Sequence, residues 1–406
     1  MVARLAAAAL VLGMGGACAE PLGQFSDHRD IGNPKHPGSA RFDKTASTYR
    51  ITGGGQNMWA DHDDFHYVWK KMSGDVRATT DVAFFSPSPA PGAPGYVHRK
   101  GGIVLRQDLD PDSAYVDVLR MGNKQLSIQY REKKGAQTHL IWINTDRQGT
   151  VRLEKAGEYA TLSVPGPDGK LRHAGGSFKL KITSPYYIGL GVCPHDDNVT
   201  ETMDFSHVTI VPLKTAEKPK MESTLQTMQV SNPWEQTGVV NVVGKIEHPA
   251  WSGDGASFTY SNGGRTWRVT AEGGEPQKAD DAKTAAGNSA SPNGRWVYFS
   301  DKGKLWRAHP DGQERTKITF EDDSADWSPH PSPDGQWLLY GASRPGADLA
   351  NGTDVEVRLV PIHDGVPDIS KTLTMAKLYG GADTLNFSPW SPDSKNFAFV
   401  SLRPTN

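Results

Sequence analysis

Aromatic rings and long polar side chains occur together in the first half of the chain. The aromatic candidates are Trp59, Tyr67 and Trp69, and the polar ones are Arg99, Arg106, Gln129, Arg131 and His139. A pyranose has an apolar C–H face and a polar rim, so an aromatic platform flanked by hydrogen-bonding groups suits a sugar. Gln129 and Arg131 are two residues apart and share one strand face. Together with Arg106 they are the favoured sugar-binding residues. The alternative stays open that the tryptophans are core and the arginines a solvated sheet face.

A second set of polar residues lies in the second half of the chain. Its members precede the predicted innermost strands of repeated sheets: His248, Asn288, Asp326, His330 and Asn386. If these segments face a common funnel, the set could bind a metal ion or an anionic sugar. Because no close spacing such as H-x-x-x-H recurs, a polar lining is favoured over a metal site. We expect no metal and no other cofactor.

Other chemistry-bearing motifs carry little weight. The chain has no G-x-S-x-G elbow, so serine hydrolase chemistry is not indicated, and no catalytic residue is assigned. The acidic run at 62–64 (HDD) is interpreted as a solvated loop. Cys193 lies in an apolar strand pattern and is interpreted as a small buried hydrophobe.

The elements that position these residues are short strands. Residues 25–213 hold nine strand patterns separated by Gly, Pro and Asp turns, which predicts two packed antiparallel sheets. Between 214 and 221 the chain is charged and Pro-containing, as exposed linkers are, so we place a domain boundary there.

A repeated motif follows this boundary. WSGDG at 251–255, SPNG at 291–294, SPDG at 332–335 and SPDS at 391–394 are spaced by about 40 and then about 60 residues, which suits propeller blades. Asp-Gly and Asn-Gly suit a type I′ turn, so each unit opens with a hairpin. The last unit lacks its outer strands. Two strand patterns, at 224–230 and 238–243, are placed to pair with it and close residues 222–406 into a ring.

The repeats resemble those of TolB-type propellers. The similarity is carried by DWSPHPSPDG at 326–335, Gly380-Gly381 and SPWSPD at 388–393. The family ordinarily has six blades, whereas four repeats occur here, and the gap falls between the first and second. The repeat motif is structural and implies no catalytic residue.

The first half resembles concanavalin-like jelly rolls. The similarity rests on Trp59, FHYVWKK at 65–71, LEKAG at 153–157 and YIGLG at 187–191. It implies an all-β chain in which a lectin-like sandwich precedes a TolB-like propeller. It also makes carbohydrate a plausible ligand. Two scaffold domains without a catalytic signature favour a non-catalytic binding or scaffold protein whose partner is a polysaccharide, a cell-wall glycan or an envelope protein. The alternative from another class is a metal-dependent polysaccharide lyase, or another glycan-active enzyme, that uses the funnel.

The N-terminal segment and the charge balance predict the compartment of the protein and the class of its partners. Arg4, an apolar run and ACA at 17–19 predict a signal peptide at 1–19 and a periplasmic or secreted protein, with lipidation of Cys18 as the weaker alternative. No later stretch is apolar for long enough to span a bilayer. The 44 basic and 46 acidic residues nearly cancel and form no basic patch, which argues against nucleic acid as a partner.

Overall fold

The fold is all-β, as predicted. The computed structural model describes residues 22–85, 97–143, 149–166, 169–214, 220–230, 235–242, 246–271, 273, 275–279 and 290–405. The predicted signal peptide, Cys18, the linker residues 215–219 and Asn288 lie outside the described residues. Two short 3-10 helices, Ile369–Lys371 and Ala382–Thr384, accompany the strands. No helix among the described residues is long and apolar enough to cross a membrane.

Sixteen strands precede the predicted linker. They are β1 (Asp27–Ile31), β2 (Ser39–Asp43), β3 (Thr48–Gly53), β4 (Met58–Trp59), β5 (His62–Asp63), β6 (Phe65–Met72), β7 (Val76–Phe84), β8 (Lys100–Arg106), β9 (Tyr115–Met121), β10 (Leu126–Arg131), β11 (His139–Ile143), β12 (Thr150–Ala156), β13 (Tyr159–Pro165), β14 (Leu171–Lys179), β15 (Tyr186–Cys193) and β16 (Glu201–Pro212).

Fifteen strands are described from Lys220 onward, so the first of them begins inside the predicted linker 214–221. They are β17 (Lys220–Gln229), β18 (Glu235–Val242), β19 (Glu247–Trp251), β20 (Ser257–Asn262), β21 (Arg265–Thr270), β22 (Gln277–Lys278), β23 (Val297–Asp301), β24 (Lys304–Ala308), β25 (Thr316–Lys317), β26 (Ala325–Pro331), β27 (Trp337–Ser343), β28 (Thr353–His363), β29 (Val366–Pro367), β30 (Leu373–Gly380) and β31 (Asn396–Thr405).

The first half is a sandwich of two sheets. The front sheet has the order β1-β6-β15-β8-β9-β10-β11, and the back sheet has the order β14-β13-β12-β7-β16-β3-β2. Alternation builds the core between them, because β12 buries every second residue. Val116 and Ile128 of the front sheet share this core with Leu153 and Phe205 of the back sheet.

The middle of the front sheet is buried on both faces. Every residue of β8, β9 and β10 is buried. One face meets the back sheet. The other carries a second cluster that includes Tyr67, Trp69, Val104 and Leu119, and the small β4–β5 hairpin packs over it through Met58. We call this second face, with the hairpin segment 54–64 that covers it, the covered face.

The front sheet continues into the second half of the chain. Strand β11 pairs in parallel with β18, so the sheet gains β18, β17 and β31 and reaches ten strands. Strand β17 pairs with β31 along its whole length and with β18 on its other side. The prediction that two early strands complete the final repeat is therefore confirmed.

The second half forms four sheets, which we call blades 1 to 4. Blade 1 is β19–β22, blade 2 is β23–β25, blade 3 is β26-β27-β28 with β29 and β30, and blade 4 is β31-β17-β18. Hydrophobic clusters join blade 2 to 3, blade 3 to 4 and blade 4 to 1. No cluster of described residues joins blade 1 to blade 2, where the sequence lacks repeats.

The repeated turn is closed by one serine in each blade. In blade 3, Ser332 Oγ lies 2.5 Å from Asp334 Oδ1 and accepts a hydrogen bond from Trp337 N at 3.0 Å. The same bonds recur around Ser252, Ser291 and Ser391. Gly335 N donates to Ser332 O, and Gly335 has φ 74°. The preceding Asp has no positive φ, so the type I′ assignment is wrong; only the fourth residue of the turn is left-handed.

We expect Ser332→Ala to lower the free energy of unfolding by about 1–2 kcal/mol, because it leaves the Trp337 amide without its acceptor. Ser332 is fully buried, so water cannot replace the hydroxyl. Urea unfolding followed by tryptophan fluorescence measures the change. Ser370→Ala removes an exposed hydroxyl from the same blade and is the control. Equal urea midpoints for the two variants would contradict this role of the turn serine.

Candidate functional site

A buried ionic network lies on the covered face. Arg131 on β10 donates to both carboxylate oxygens of Asp63 on β5, at 2.9 Å each, and to Ala60 O at 3.1 Å. Arg106 Nη2 on β8 lies 3.4 Å from Asp63 Oδ2 and donates to Asp110 O. All three charged side chains are inaccessible to water. The network therefore fastens the hairpin segment onto the front sheet.

Burial changes the protonation of groups around this network. It raises the pKa of Asp63, against the lowering effect of Arg106 and Arg131. It also raises the pKa of Asp117 well above its usual value and lowers the pKa of Lys100. Arg106 Nη1, Asp117 Oδ2 and Gln129 Oε1 have no protein hydrogen-bond partner. The covered face thus holds polar atoms that the described residues do not satisfy.

The favoured sugar-binding residues do meet on one face, but not on an open one. Arg106, Gln129 and Arg131 are each at most 1% exposed. This corrects the interpretation of a concave surface that receives a ligand directly. The physical reason is that the hairpin segment covers this face. Its backbone carbonyls and the Asp63 carboxylate accept the hydrogen bonds of the Arg131 guanidinium.

The remaining sandwich candidates lie apart from these three. Arg99 is an odd number of residues from Arg106, faces the other way and pairs with Glu201 at 2.6 Å. Trp69 is buried and stacks on Tyr67. Trp59, at the hairpin tip, is 37% exposed. His139 stacks on Tyr130 and directly follows Thr138, whose N donates to Ala60 O of the hairpin segment.

Sequence reasoning missed Asp63. The run at 62–64 was interpreted as a solvated loop, yet Asp63 is fully buried and is the carboxylate that both arginines share. One signal could have found it. Two arginines among buried strand residues need a buried counter-charge, and an aspartate in a short hairpin can supply it.

The predicted funnel residues do not form one bonded group. His330 is buried on β26, with Nε2 2.8 Å from Leu385 O, next to the exposed Asn386. Asp326 on the same strand is buried, bonds Ser324 at 2.9 Å and lies 3.7 Å from Arg358. His248 is exposed on blade 1, and no described hydrogen bond or salt bridge joins it to the others. Among the described residues no three His, Cys, Asp or Glu side chains are arranged to hold a metal ion.

A cleft separates the sandwich from blade 3. It has a volume of about 650 Å³ and lies between the ends of β10 and β14 on one side and strands β27, β28 and β30 on the other. Lys377 pairs with Glu132 at 3.0 Å and Lys179 with Asp354 at 3.3 Å, and both ion pairs cross it. These half-exposed pairs link the two walls. Among the predicted site residues that the structure describes, none lines this cleft, and the sequence does not predict it.

The cleft carries an excess of positive charge. Its basic residues are Lys133, Lys179, Lys181, Arg344, Arg358 and Lys377, and its acidic residues are Glu132, Asp323, Asp354 and Glu356. Lys179, Arg358 and Lys377 have carboxylate partners. Within the described residues no salt bridge involves the other three, Lys133, Lys181 and Arg344, and all three are exposed. Three cations on one rim can therefore attract an anionic ligand.

Comparison with known proteins finds partial relatives. No family model matches the chain. An uncharacterized protein of Agrobacterium fabrum is 33% identical over 166 residues, which cover 38% of this chain and 54% of that protein. The chain therefore spans about half the length of the curated relative that it matches.

The similar solved structures are distant. A functionally unknown protein of Saccharomyces cerevisiae has a TM-score of 0.35 at 12% identity and covers 46% of this chain and 97% of its own. A protein described as TolB from Agrobacterium tumefaciens has a TM-score of 0.26 at 17% identity, over 81% of this chain and 99% of its own. Domains LG4-5 of the mouse laminin alpha1 chain have a TM-score of 0.24 at 9% identity, over 90% of both chains. At such low scores these likenesses add nothing to the argument on function.

Proposed function

We propose that this chain is an exported, non-catalytic binding protein whose cleft takes an acidic polysaccharide. The observation that carries the proposal is the set of three exposed cations, Lys133, Lys181 and Arg344, on the rim of one cleft. Uronate carboxylates or sulfates repeat along such a glycan, so several anionic groups can meet several cations of one rigid surface.

The volume and charge of the cleft suit a chain-like ligand. Blade 3 and the sandwich share one hydrophobic cluster, so the walls are fixed before binding, which lowers the conformational cost of association. Arg358, whose ion pair with Glu356 does not cross the cleft, can also exchange this protein carboxylate for a ligand carboxylate. A neutral glucan offers none of these charge contacts and should bind far more weakly.

We expect a variant with Lys133→Glu, Lys181→Glu and Arg344→Glu to bind polygalacturonate at least about tenfold more weakly than the unaltered protein, because three attractions become repulsions. Isothermal titration calorimetry at low salt measures the affinity, with dextran as the neutral glycan. Raising the ionic strength should weaken binding of the unaltered protein, since the rim charges are exposed to solvent.

A second triple variant controls for net charge. Lys44→Glu, Lys71→Glu and Lys214→Glu change the same total charge at exposed positions outside the cleft. It should retain the affinity of the unaltered protein. Equal loss in both variants would show that binding follows overall charge, and no loss in the cleft variant would show that the ligand sits elsewhere.

A further inference from the structure

A lysine and an asparagine meet inside the covered face. Lys100 opens β8, and Asn57 lies in the hairpin segment, directly before β4. Lys100 Nζ lies 2.7 Å from Asn57 Oδ1. The carboxamide carbon is one bond beyond that oxygen. A nucleophilic nitrogen and an amide carbon are therefore held next to each other by two separate elements of the fold.

The surroundings of Lys100 favour a neutral amine. The side chain is 2% exposed, and among the described residues no carboxylate forms a salt bridge with it. Burial lowers the pKa of Lys100, against the raising effect of Cys193 and Asp117. Burial also raises the pKa of Asp117, whose Oδ2 is unpartnered, so this carboxyl is available in its protonated form. A neutral amine is the nucleophile that amide exchange requires.

We propose that Lys100 and Asn57 form an intramolecular isopeptide bond. The lone pair of Lys100 Nζ forms a bond to Asn57 Cγ, and the bond from Cγ to Nδ2 breaks. A proton leaves Nζ and a proton reaches the departing nitrogen, which is released as ammonia. No oxidant, reductant or cofactor takes part, because the proton that leaves Nζ is balanced by the proton that the departing nitrogen gains.

Such a bond would fasten the hairpin segment to the front sheet covalently. The bond would close the residues between Asn57 and Lys100 into a covalent loop, and this loop includes β6 and β7. In the described residues the only thiol is the buried Cys193, which has no disulfide partner. The isopeptide bond would therefore supply the kind of covalent restraint that a disulfide gives to other exported proteins.

Intact-mass measurement of the purified, denatured chain tests the proposal. The chain should weigh about 17 Da, the mass of the lost ammonia, less than the mass calculated for its sequence without any signal peptide that has been removed. A tryptic digest should contain peptide 51–70 joined to peptide 100–106, with the bond after Lys100 uncut, because an acylated lysine is not a trypsin site. Lys100→Arg and Asn57→Ala should each restore the full sequence mass.

Two results would overturn the proposal. One is a full sequence mass for the unaltered chain together with cleavage after Lys100. The other is a loss of the same mass that maps to an Asn-Gly pair, at Asn262, Asn293 or Asn351, since succinimide formation releases the same ammonia. Hydroxylamine distinguishes the two products, because it cleaves a succinimide and leaves an isopeptide amide intact. The mass of the unaltered chain decides the matter even if a variant fails to fold.

Discussion

Asp63→Ala is expected to lower the free energy of unfolding by about 3–5 kcal/mol, because it leaves two buried guanidinium groups without their shared carboxylate. Arg131 makes a bidentate contact with Asp63, and Arg106 lies 3.4 Å away. None of the three side chains reaches water, so solvent cannot replace the lost partner. Urea unfolding with tryptophan fluorescence and circular dichroism measures the change.

Two further variants locate the origin of that loss. Asp63→Asn keeps a hydrogen-bond acceptor without the charge and should fall between the unaltered chain and the alanine variant. Lys134→Ala breaks exposed ion pairs with Asp108 and Asp110 at the same edge of the sandwich and should scarcely move the urea midpoint. If Asp63→Ala shifted the urea midpoint as little as Lys134→Ala does, the network would not hold the hairpin segment in place.

Stability is expected to fall between pH 6.5 and about 4 because of His330. Burial lowers the pKa of His330 to about 4. In this pH window the unfolded chain binds a proton at this position and the folded chain does not, so stability rises with pH. A difference of about 2.5 pKa units corresponds to at most about 3 kcal/mol, present above pH 6.5 and lost as the pH approaches 4.

A difference measurement isolates this one histidine. Burial also lowers the pKa values of His66, His98, His139 and His195, so the whole protein loses stability in acid for several reasons. His330→Gln should flatten the pH dependence of the urea midpoint between pH 7 and pH 4.5. His363→Gln, an exposed position on the same blade, should leave that dependence unchanged. Parallel curves for the unaltered chain and His330→Gln would contradict the assignment.

The fold could be predicted because its rules are local. Alternation of buried residues and turn glycines specify strands, and the repeated Ser-x-Asp-Gly motif specifies where each blade begins. The pairing of β17 with β31 could also be predicted from the sequence, because a terminal sheet that lacks strands needs partners. The turn type did not follow, since Asp-Gly occurs in several turns and only the backbone shows which residue has the positive φ.

The candidate sites depended on contacts that no local rule specifies. The shared face of Gln129 and Arg131 follows from alternation, but its cover by residues 54–64 depends on the packing of a distant hairpin. The cleft is harder to predict from the sequence, because Lys133, Lys181 and Arg344 come together only when blade 3 packs beside the sandwich. Isolated lysines and arginines at the ends of strands give no pattern that distinguishes a cleft rim from an ordinary surface.

The pairing of β17 with β31 also fixes an order of events during synthesis. The two strands are about 170 residues apart in sequence, so β17 leaves the ribosome long before its partner exists. Blade 4, and with it the extension of the front sheet, cannot be completed on a nascent chain until β31 has emerged. This delay suits the export that we propose, since translocation needs an unfolded substrate. The exposed edge of β17 is in turn where partly made chains would associate with one another.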